Sequence, residues 1–335
     1  PRITVDPQPR RPAWGVRTPY RKSLATNGPI LVALPPARVA VPLVHGPLAA
    51  ARPLVRPGQA VLRGEPVGEP AGAGHPWIHA SIAGRVSSVG PQRVAGSAAP
   101  VPCVCIEAAG EDRPWPGPAP TARPGELTAA ELRAGIAAAG ITGLGGALFP
   151  TAAKLAMAGG AGLLLVNGVE CEPYISCDDA LLRERADRVV AGAGLLLTAL
   201  GADQAVIALK NGMPEARAAL HAALQSAADP RLCLSVVTGK YPAGGERQLI
   251  ELVTGREVPA GGLPADVGVV CQNVGTAAAV ADWFLRGQPL VSRIITVTGG
   301  GVARPCNIEA RLGTPVADLV ALAGGYQGNP LRLVM

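Results

Sequence analysis

One stretch of the sequence combines a cluster of glycines with a lysine a few residues later. The stretch GLGGALFPTAAK, residues 143–154, packs three glycines into four positions: Gly143, Gly145 and Gly146. Backbone without side chains can approach a flat ring or a phosphate closely. We expect Pro150 to be the first residue of a helix whose free N–H groups attract an anion, with Lys154 adding a full charge one turn in. This pattern indicates a phosphate-bearing ligand; a structural turn with a solvated lysine is the alternative interpretation.

A second stretch, NGVECEPYISCDD at residues 167–179, follows the apolar run LLLV. That position predicts the carboxyl edge of a parallel sheet, where open α/β folds bind ligands. Asn167 can donate to and accept from a heterocycle, and in an extended segment Glu170 and Glu172 would project on the same side. The open alternatives are a turn with solvated acids and a metal site, the latter less favoured because no CxxC run is present. Its candidate ligands are Cys171, Cys177, Asp178 and Asp179.

Two further stretches repeat this design of a strand, a polar or glycine-rich loop and a helix. They are GKYPAGGERQLIELVTG at residues 239–255 and QNVGTAAAVADW at residues 272–283. Because the carboxyl ends of parallel strands meet at one edge of a sheet, we expect the three loops to outline one pocket.

The elements around these loops alternate between strand and helix. Strands are predicted at 163–166, 205–209, 232–237 and 267–271, and helices at 180–200, 214–228, 246–254 and 276–285. Alternation of this kind is typical of a parallel sheet covered on both faces. The fold class is therefore α/β, with a Rossmann-like domain over residues 131–290.

The flanking segments have different patterns. Residues 1–29 are rich in Pro and Arg and are predicted to form an extended arm, while residues 30–110 alternate short apolar runs with turns. The latter resemble the barrel-sandwich hybrid of lipoyl and biotinyl carriers, but residues 30–107 contain no lysine to modify. A Pro-rich linker follows at 111–130, and residues 291–335 suggest a small β-grasp domain.

Composition excludes several classes of function. The net charge is +6, but the basic residues are scattered except in the arm, without interleaved aromatics, so no nucleic-acid partner is expected. A solvated tail is the favoured interpretation of the arm, and docking to an acidic partner or a membrane surface is the alternative. Seven cysteines without a CxxC pair indicate a reducing compartment. No GxSxG, HExxH or Walker motif is present.

Four motifs in this order carry a resemblance: GLGGALFPTAAK, NGVECEPY, KYPAGGERQLIELVTGREVP and GVVCQNVGTAAAV. Together they resemble the C subunit of the Rnf complex, a bacterial ferredoxin:NAD oxidoreductase, and more distantly the flavin- and NADH-binding subunit of respiratory complex I. The likeness covers nearly the whole chain. It implies bound FMN, NAD(H) as substrate, and single-electron transfer to an iron–sulfur relay.

The resemblance also implies roles for individual residues. The FMN cradle would comprise Gly143, Gly145, Gly146, Lys154, Asn167, Glu170, Gly244, Gly245, Asn273 and Thr276. The nicotinamide face would comprise Phe149, Glu172, Tyr241 and Glu246, with Glu172 and Glu246 as the catalytic pair that bonds NADH. Leu148 stands where the wider family often has glycine, and it would narrow the mouth of the pocket.

The family pattern continues into two CxxCxxCxxxCP runs that hold two [4Fe–4S] clusters, whereas this sequence ends at Met335. We therefore expect a longer native chain, with no metal bound by the present residues. Expected partners are the other Rnf subunits, and ferredoxin through one of them. The expected location is peripheral, on the cytoplasmic side of the inner membrane. The alternatives are a cobalamin reductase of bacterial microcompartments and a non-catalytic scaffold.

Overall fold

The computed structural model describes residues 12, 14–45, 48–117 and 124–335. Part of the predicted linker and the arm residues Arg2, Arg10 and Arg11 lie outside this range. Strands in the described part form four sheets. Two belong to an all-β unit, one to an α/β unit, and one to a small unit at the carboxyl end.

The all-β unit consists of a four-stranded and a three-stranded antiparallel sheet, with strand orders β2-β8-β7-β4 and β3-β5-β6. Its strands are β2 (Arg38–Pro42), β3 (Arg52–Pro53), β4 (Ala60–Val61), β5 (Pro66–Glu69), β6 (Ile78–His79), β7 (Gly84–Gln92) and β8 (Val101–Ala108). Apolar side chains of both sheets share one core, for example Val41 and Ile106 from the first sheet and Val67 from the second. The short strands predicted between turns are thereby confirmed.

The α/β unit is built on four parallel strands in the order β11-β10-β9-β12. The strands are β9 (Leu163–Gly168), β10 (Gln204–Lys210), β11 (Leu232–Val237) and β12 (Val269–Asn273). The helices are α2 (Ala129–Ala138), α3 (Thr151–Met157), α4 (Cys177–Leu200), α5 (Pro214–Ala227), α6 (Glu246–Thr254) and α7 (Val274–Arg286). All four predicted strands and all four predicted helices are present.

Helices cover both faces of this sheet, as the apolar runs of its strands predict. On one face, side chains of α2, α4, α5 and α7 form a core with alternate residues of the strands, such as Ile207. On the other face, α6 packs against the intervening residues, such as Val206 and Ala208. Because all four strands are parallel, their carboxyl ends lie at the same edge of the sheet.

The carboxyl-terminal unit contains a three-stranded sheet in the order β1-β14-β13. Strand β13 (Ser292–Val297) pairs antiparallel with β14 (Cys306–Arg311), and α8 (Val316–Leu322) follows. The third strand is β1 (Leu31–Val32), which pairs parallel with β14. The structure thus places β1 outside the all-β unit, in which the predicted boundary at residue 30 had included it.

Residues 14–26, which we call the strap, lie along the α/β unit instead of extending into solvent. The strap ends in a short helix, α1 (Ser23–Thr26). Trp14 packs against the core beneath α6, and the backbone of Val16 exchanges two hydrogen bonds with Tyr241, of 2.9 and 3.0 Å. The prediction of a solvated tail is wrong for the strap, because its backbone and side chains bind the neighbouring loops.

In the described residues, no helix combines the length and the apolar composition that crossing a bilayer would require.

The long helix α4 approaches α7 so closely that one glycine is required. A Cβ atom on Gly192 would lie 1.8 Å from the carbonyl oxygen of Ala277, whereas one on Gly194 would meet no described atom within 4 Å. We expect Gly192→Ala to lower the free energy of unfolding by at least about 2 kcal/mol, because the two helices must separate. The matched control Gly194→Ala should raise it by about 0.5–1 kcal/mol. Urea denaturation measures both, and equal effects would contradict the close approach.

Candidate functional site

The loops that follow β9, β11 and β12 meet at the carboxyl edge of the parallel sheet. The Asn167 amide nitrogen donates to the Gly244 carbonyl (2.8 Å), and its oxygen accepts from the Val169 N–H (2.9 Å). The Asn273 amide nitrogen lies 3.4 Å from the carbonyl oxygen of Asn167. These contacts bring the three loops together, as the repeated strand and loop pattern predicts.

The glycine loop, residues 142–150, is closed at its base and docks on the start of α7. Thr142 and Pro150 form a β-bridge, and the Gly143 N–H donates to the Phe149 carbonyl at 2.8 Å. The Leu144 N–H donates to the Thr276 hydroxyl oxygen (3.0 Å), whose side chain is fully buried. The glycine loop therefore belongs to the same edge as the three strand loops.

Two residues of the glycine loop have positive φ angles. Gly146 has φ +111°, where a side chain would be strained, and Leu148 has φ +52°, a conformation that glycine adopts more easily. Phe149 beside it is 37% exposed. Helix α3 begins one residue later than predicted, since Pro150 is its N-cap with ψ 119°, and the helix is only seven residues long.

Lys154 and Glu246 form an ion pair with 2.5 Å between Nζ and Oε1. The side chains are 30% and 39% exposed, so both remain reachable from solvent. Sequence reasoning assigned them separately to a phosphate and to a dinucleotide. The structure places them in direct contact, which joins α3 to the start of α6.

Gly244 allows two loops to touch through their backbones. A Cβ on Gly244 would lie 2.0 Å from the Val169 carbonyl oxygen, and its N–H donates to the Cys171 sulfur at 3.3 Å. At Gly245 a Cβ would meet the flexible side chain of Gln248 at 2.4 Å. Gly244 is therefore needed for packing between loops, a reason that spacing alone did not reveal.

The two glutamates of the second loop do not project on the same side. Glu170 is 5% exposed and points inward, whereas Glu172 is exposed. One carboxylate is buried and the other faces solvent, and the chain bends from Glu172 to Tyr174, where φ reaches +69°. The prediction of two parallel carboxylates is wrong for this reason.

The buried Glu170 carboxylate is held by a residue that sequence reasoning did not assign. Lys22 of the strap lies 3.0 Å from Glu170 Oε2, and the Asp178 N–H donates to Glu170 Oε1 at 3.0 Å. The Asp178 carboxylate accepts from the Asn273 amide at 2.8 Å. Burial, and then the charge of Glu170, raises the pKa of Asp178 to about 7. A polar network thus runs from the strap to the loop after β12.

Lys210, at the end of β10, is a second residue that sequence reasoning missed. It is 7% exposed, its ammonium lies 3.2 Å from the centre of the Tyr20 ring, and no described residue accepts a hydrogen bond from it. Burial, and then the charge of Lys22, lowers its pKa to about 8. The ring of Tyr20 supplies a cation–π contact that ties the strap to the sheet edge.

The alternative of a metal site receives little support from the donor atoms. Among the described residues, ligand atoms of Glu170, Cys177 and Asp178 lie within 4.8 Å of one another, but Cys171 and Asp179 are not part of that group. Asp179 pairs with Arg183 at 3.3 Å. Lys22 and protein amides already bond the two carboxylates, so a cation would have to compete with them.

The donors at this edge fit a flat, phosphorylated heterocycle such as FMN. Gly145 and Gly146 are exposed, and a Cβ on Gly146 would meet no described atom within 4 Å, so bare backbone faces open space there. Lys154 provides an accessible cation that would neutralise a phosphate. The side-chain amides of Asn167 and Asn273 bond protein groups and hold the loops in place around the open backbone.

Three family models match the chain. They are the Nuo51 FMN-binding domain over residues 136–282, the RnfC barrel sandwich hybrid domain over residues 12–111, and the SLBB domain over residues 294–332. The matches confirm the predicted order of an all-β barrel-sandwich domain, a flavin-binding α/β domain and a small carboxyl-terminal domain. They also assign FMN to the unit whose edge is described above.

Curated relatives match across almost the whole chain. The C subunit of an ion-translocating oxidoreductase complex from Pseudomonas aeruginosa is 46% identical over 96% of this chain and 41% of its own length. The Rhodobacter capsulatus protein of the same name is 39% identical over 96% of this chain and 62% of its length. The chain thus spans about two-fifths to three-fifths of these relatives.

A solved structure supports the fold independently. A chain from the crystal structure of an NAD+-reducing [NiFe]-hydrogenase in the H2-reduced state is 28% identical, with a TM-score of 0.51. The match covers 61% of this chain and 42% of that chain.

A further relative is matched over most of its own length. The C subunit of the Na+-translocating ferredoxin:NAD+ oxidoreductase complex of Acetobacterium woodii is 37% identical over 96% of this chain and 72% of its own length. With this match, the three family models and the convergent loops, the chain belongs to the RnfC family, the C subunits of ion-translocating oxidoreductase complexes.

Proposed function

We propose that this protein is the FMN subunit of an ion-translocating ferredoxin:NAD oxidoreductase complex, and that it oxidises NADH or reduces NAD+. The observation that carries the proposal is the convergence of four loops at one edge of a sheet that matches an FMN-binding domain. The names of the relatives, which include a ferredoxin:NAD+ oxidoreductase, support the same reaction class.

Bound FMN would supply the redox chemistry, which is hydride exchange with a nicotinamide and the transfer of electrons one at a time. The chain contributes binding and orientation. Gly143, Gly145 and Gly146 would leave room for the flavin, and Lys154 would neutralise the phosphate. The remaining residues assigned to the cradle are Asn167, Glu170, Gly244, Gly245, Asn273 and Thr276. All of these but Gly245 would act by fixing the loops, because protein groups already engage them.

The dinucleotide would bind at the exposed side of the same edge. Phe149 and Tyr241 are 37% and 41% exposed, so their rings are available to a nicotinamide or adenine. Glu172 is also exposed, and Glu246 retains one carboxylate oxygen that Lys154 does not contact. Both carboxylates would accept hydrogen bonds from ribose hydroxyls or the carboxamide, which are donors.

Electrons would leave toward an iron–sulfur relay and ferredoxin through other parts of the complex. We propose a peripheral position on the cytoplasmic side of the inner membrane, in contact with the other Rnf subunits. The relatives' names support membership of such a complex.

The proposed function can be tested with the purified protein, FMN and an artificial one-electron acceptor. We expect the protein to quench FMN fluorescence on binding and to catalyse NADH + 2 ferricyanide → NAD+ + H+ + 2 ferrocyanide. Cobalamin as the acceptor distinguishes the alternative reductase. A protein that binds no FMN would contradict the proposal and favour a scaffold.

Lys154 is expected to contribute to FMN affinity through its charge. Lys154→Ala removes a charge-assisted hydrogen bond worth about 1.5–3 kcal/mol, so the Kd for FMN should rise roughly 10- to 100-fold. Fluorescence titration measures the Kd. Met157→Ala, an exposed change on the same helix, should leave it within twofold. An unchanged Kd for Lys154→Ala would exclude the ion-pair edge as the phosphate site.

Glu172 is expected to act on the dinucleotide more than on the flavin. Because Glu172 is exposed while Glu170 is buried, Glu172→Ala should raise the KM for NADH about tenfold, equivalent to roughly 1.4 kcal/mol, and change FMN affinity little. Steady-state kinetics and FMN titration separate the two effects. Asp187→Ala, an exposed acid within α4, is the matched control and should change neither.

A further inference from the structure

The strap touches two of the loops that form the site. Its Val16 backbone pairs with Tyr241 in the loop after β11. Four residues later, the Tyr20 carbonyl accepts from the Tyr174 N–H at 2.6 Å in the loop after β9. A single short segment from the start of the chain therefore holds both loops from outside the sheet.

Lys22 makes the most extensive of these contacts. Its ammonium donates to Glu170 Oε2 (3.0 Å), to the Glu170 carbonyl (2.9 Å) and to the Ile175 carbonyl (2.6 Å). An ammonium has three donors, and all three are used. The two carbonyls belong to the first and last residues of the segment 170–175, so Lys22 holds the two ends of this turn together.

The turn that Lys22 closes carries the exposed Glu172. The polar network behind it continues from Glu170 through Asp178 to Asn273, which lies against Gly145 of the glycine loop. The Lys22 side chain is 19% exposed and that of Glu170 is 3% exposed, so solvent can replace little of this contact. One strap residue is thus connected to both the dinucleotide side and the flavin side of the edge.

The geometry points to Lys22 as a positioning residue, which holds the 170–175 turn and, through the strap, fixes the shape of the FMN and NAD(H) site. This inference rests on the proposed function and adds a residue to it. Lys22 does not touch the reacting atoms. It acts by keeping Glu172 presented to solvent and the Glu170 carboxylate paired.

The strap's other buried contact has a different character. Tyr20 covers Lys210 through its ring and lies 3.4 Å from the Gly239 carbonyl through its hydroxyl. The Tyr20 side chain anchors the strap on β10 but bonds no atom of the 170–175 turn, which Tyr20 reaches only through its backbone carbonyl. Loss of Tyr20 should therefore loosen the strap with a smaller effect on the site than loss of Lys22.

Lys22→Met tests the inference, because it retains side-chain length and removes the charge and all three donors. We expect the Kd for FMN to rise at least tenfold and the KM for NADH to rise at least fivefold. Lys22→Arg keeps the charge, but a planar guanidinium cannot reproduce three bonds from one nitrogen, so it should give intermediate values. Arg21→Met removes an exposed charge from the adjacent strap residue and should stay within twofold of wild type for both constants.

Three readouts separate positioning from a purely structural role. Thermal unfolding of the FMN-free variants reports folding, fluorescence titration reports FMN affinity, and ferricyanide reduction reports KM and kcat. If Lys22→Met lowers the melting temperature but the folded variant binds FMN and NADH as wild type does, the inference is overturned. If Lys22→Met does not fold, Lys22→Arg decides: wild-type constants overturn the inference, and intermediate constants support it.

The same experiments distinguish failure of this inference from failure of the proposed function. Wild-type protein that does not bind FMN refutes the function. Wild-type protein that binds FMN together with a Lys22→Met variant of equal affinity refutes only the role of Lys22.

Discussion

Backbone contact between two loops, at Gly244 and Val169, sets the geometry on which the site depends. The carbonyl oxygen of Val169 occupies the position of a Cβ on residue 244, at 2.0 Å, so only glycine permits the contact. Asn167 then bridges the same loops, bonding the Val169 N–H and the Gly244 carbonyl. Because β9 lies inside the parallel sheet, between β10 and β12, this contact places the loop after β11 over the centre of the edge. The site is therefore formed by loops that contact one another at the carboxyl edge of the sheet.

Charge at this edge is arranged so that the buried carboxylates Glu170 and Asp178 have hydrogen-bonding partners. Glu170 has a lysine and an amide, and Asp178 has the Asn273 amide but shares its environment with Glu170, which together with burial raises the pKa of Asp178. Two carboxylates close together in a dry site disfavour double ionisation. Glu172 avoids this cost by facing solvent. The different environments divide one acidic segment into a buried and a solvent-facing part.

Much of the fold could be predicted from the sequence because periodicity reports burial directly. Each strand of the parallel sheet is a continuous apolar run, and helices such as α6 show an apolar face, so both types of element were located correctly. Glycine clusters and strand ends also indicated which loops would meet. The strap was not predictable in this way, since Val16 is attached through its backbone and Lys22 through carbonyl oxygens. Such bonds leave no periodic signal.

Two features of the structure were the least predictable: the directions of neighbouring side chains in a loop, and a pairing between distant segments. The inference that Glu170 and Glu172 share a side assumed extended backbone, whereas the structure buries Glu170 and exposes Glu172. Likewise, β1 consists of only two residues, and its pairing with β14 depends on a contact across almost the whole chain. Short-range patterns contain no information about either event.

Lysine is rare in this sequence, and the positions of the lysines are informative about the site. The chain has 30 Lys and Arg residues, of which only four are lysine. Three of them, Lys22, Lys154 and Lys210, lie at the site edge described above. Elsewhere arginine forms the ion pairs, for example Arg185 with Glu309 at 2.6 Å between the α/β unit and the carboxyl-terminal sheet. A guanidinium presents a flat fork that suits a carboxylate, whereas an ammonium is a compact charge with three directions of donation. Lys22 uses all three directions within one turn, and Lys210 fits beneath a ring. At these two positions the compact shape of the ammonium fits the contacts that the structure shows, which a planar guanidinium would not reproduce.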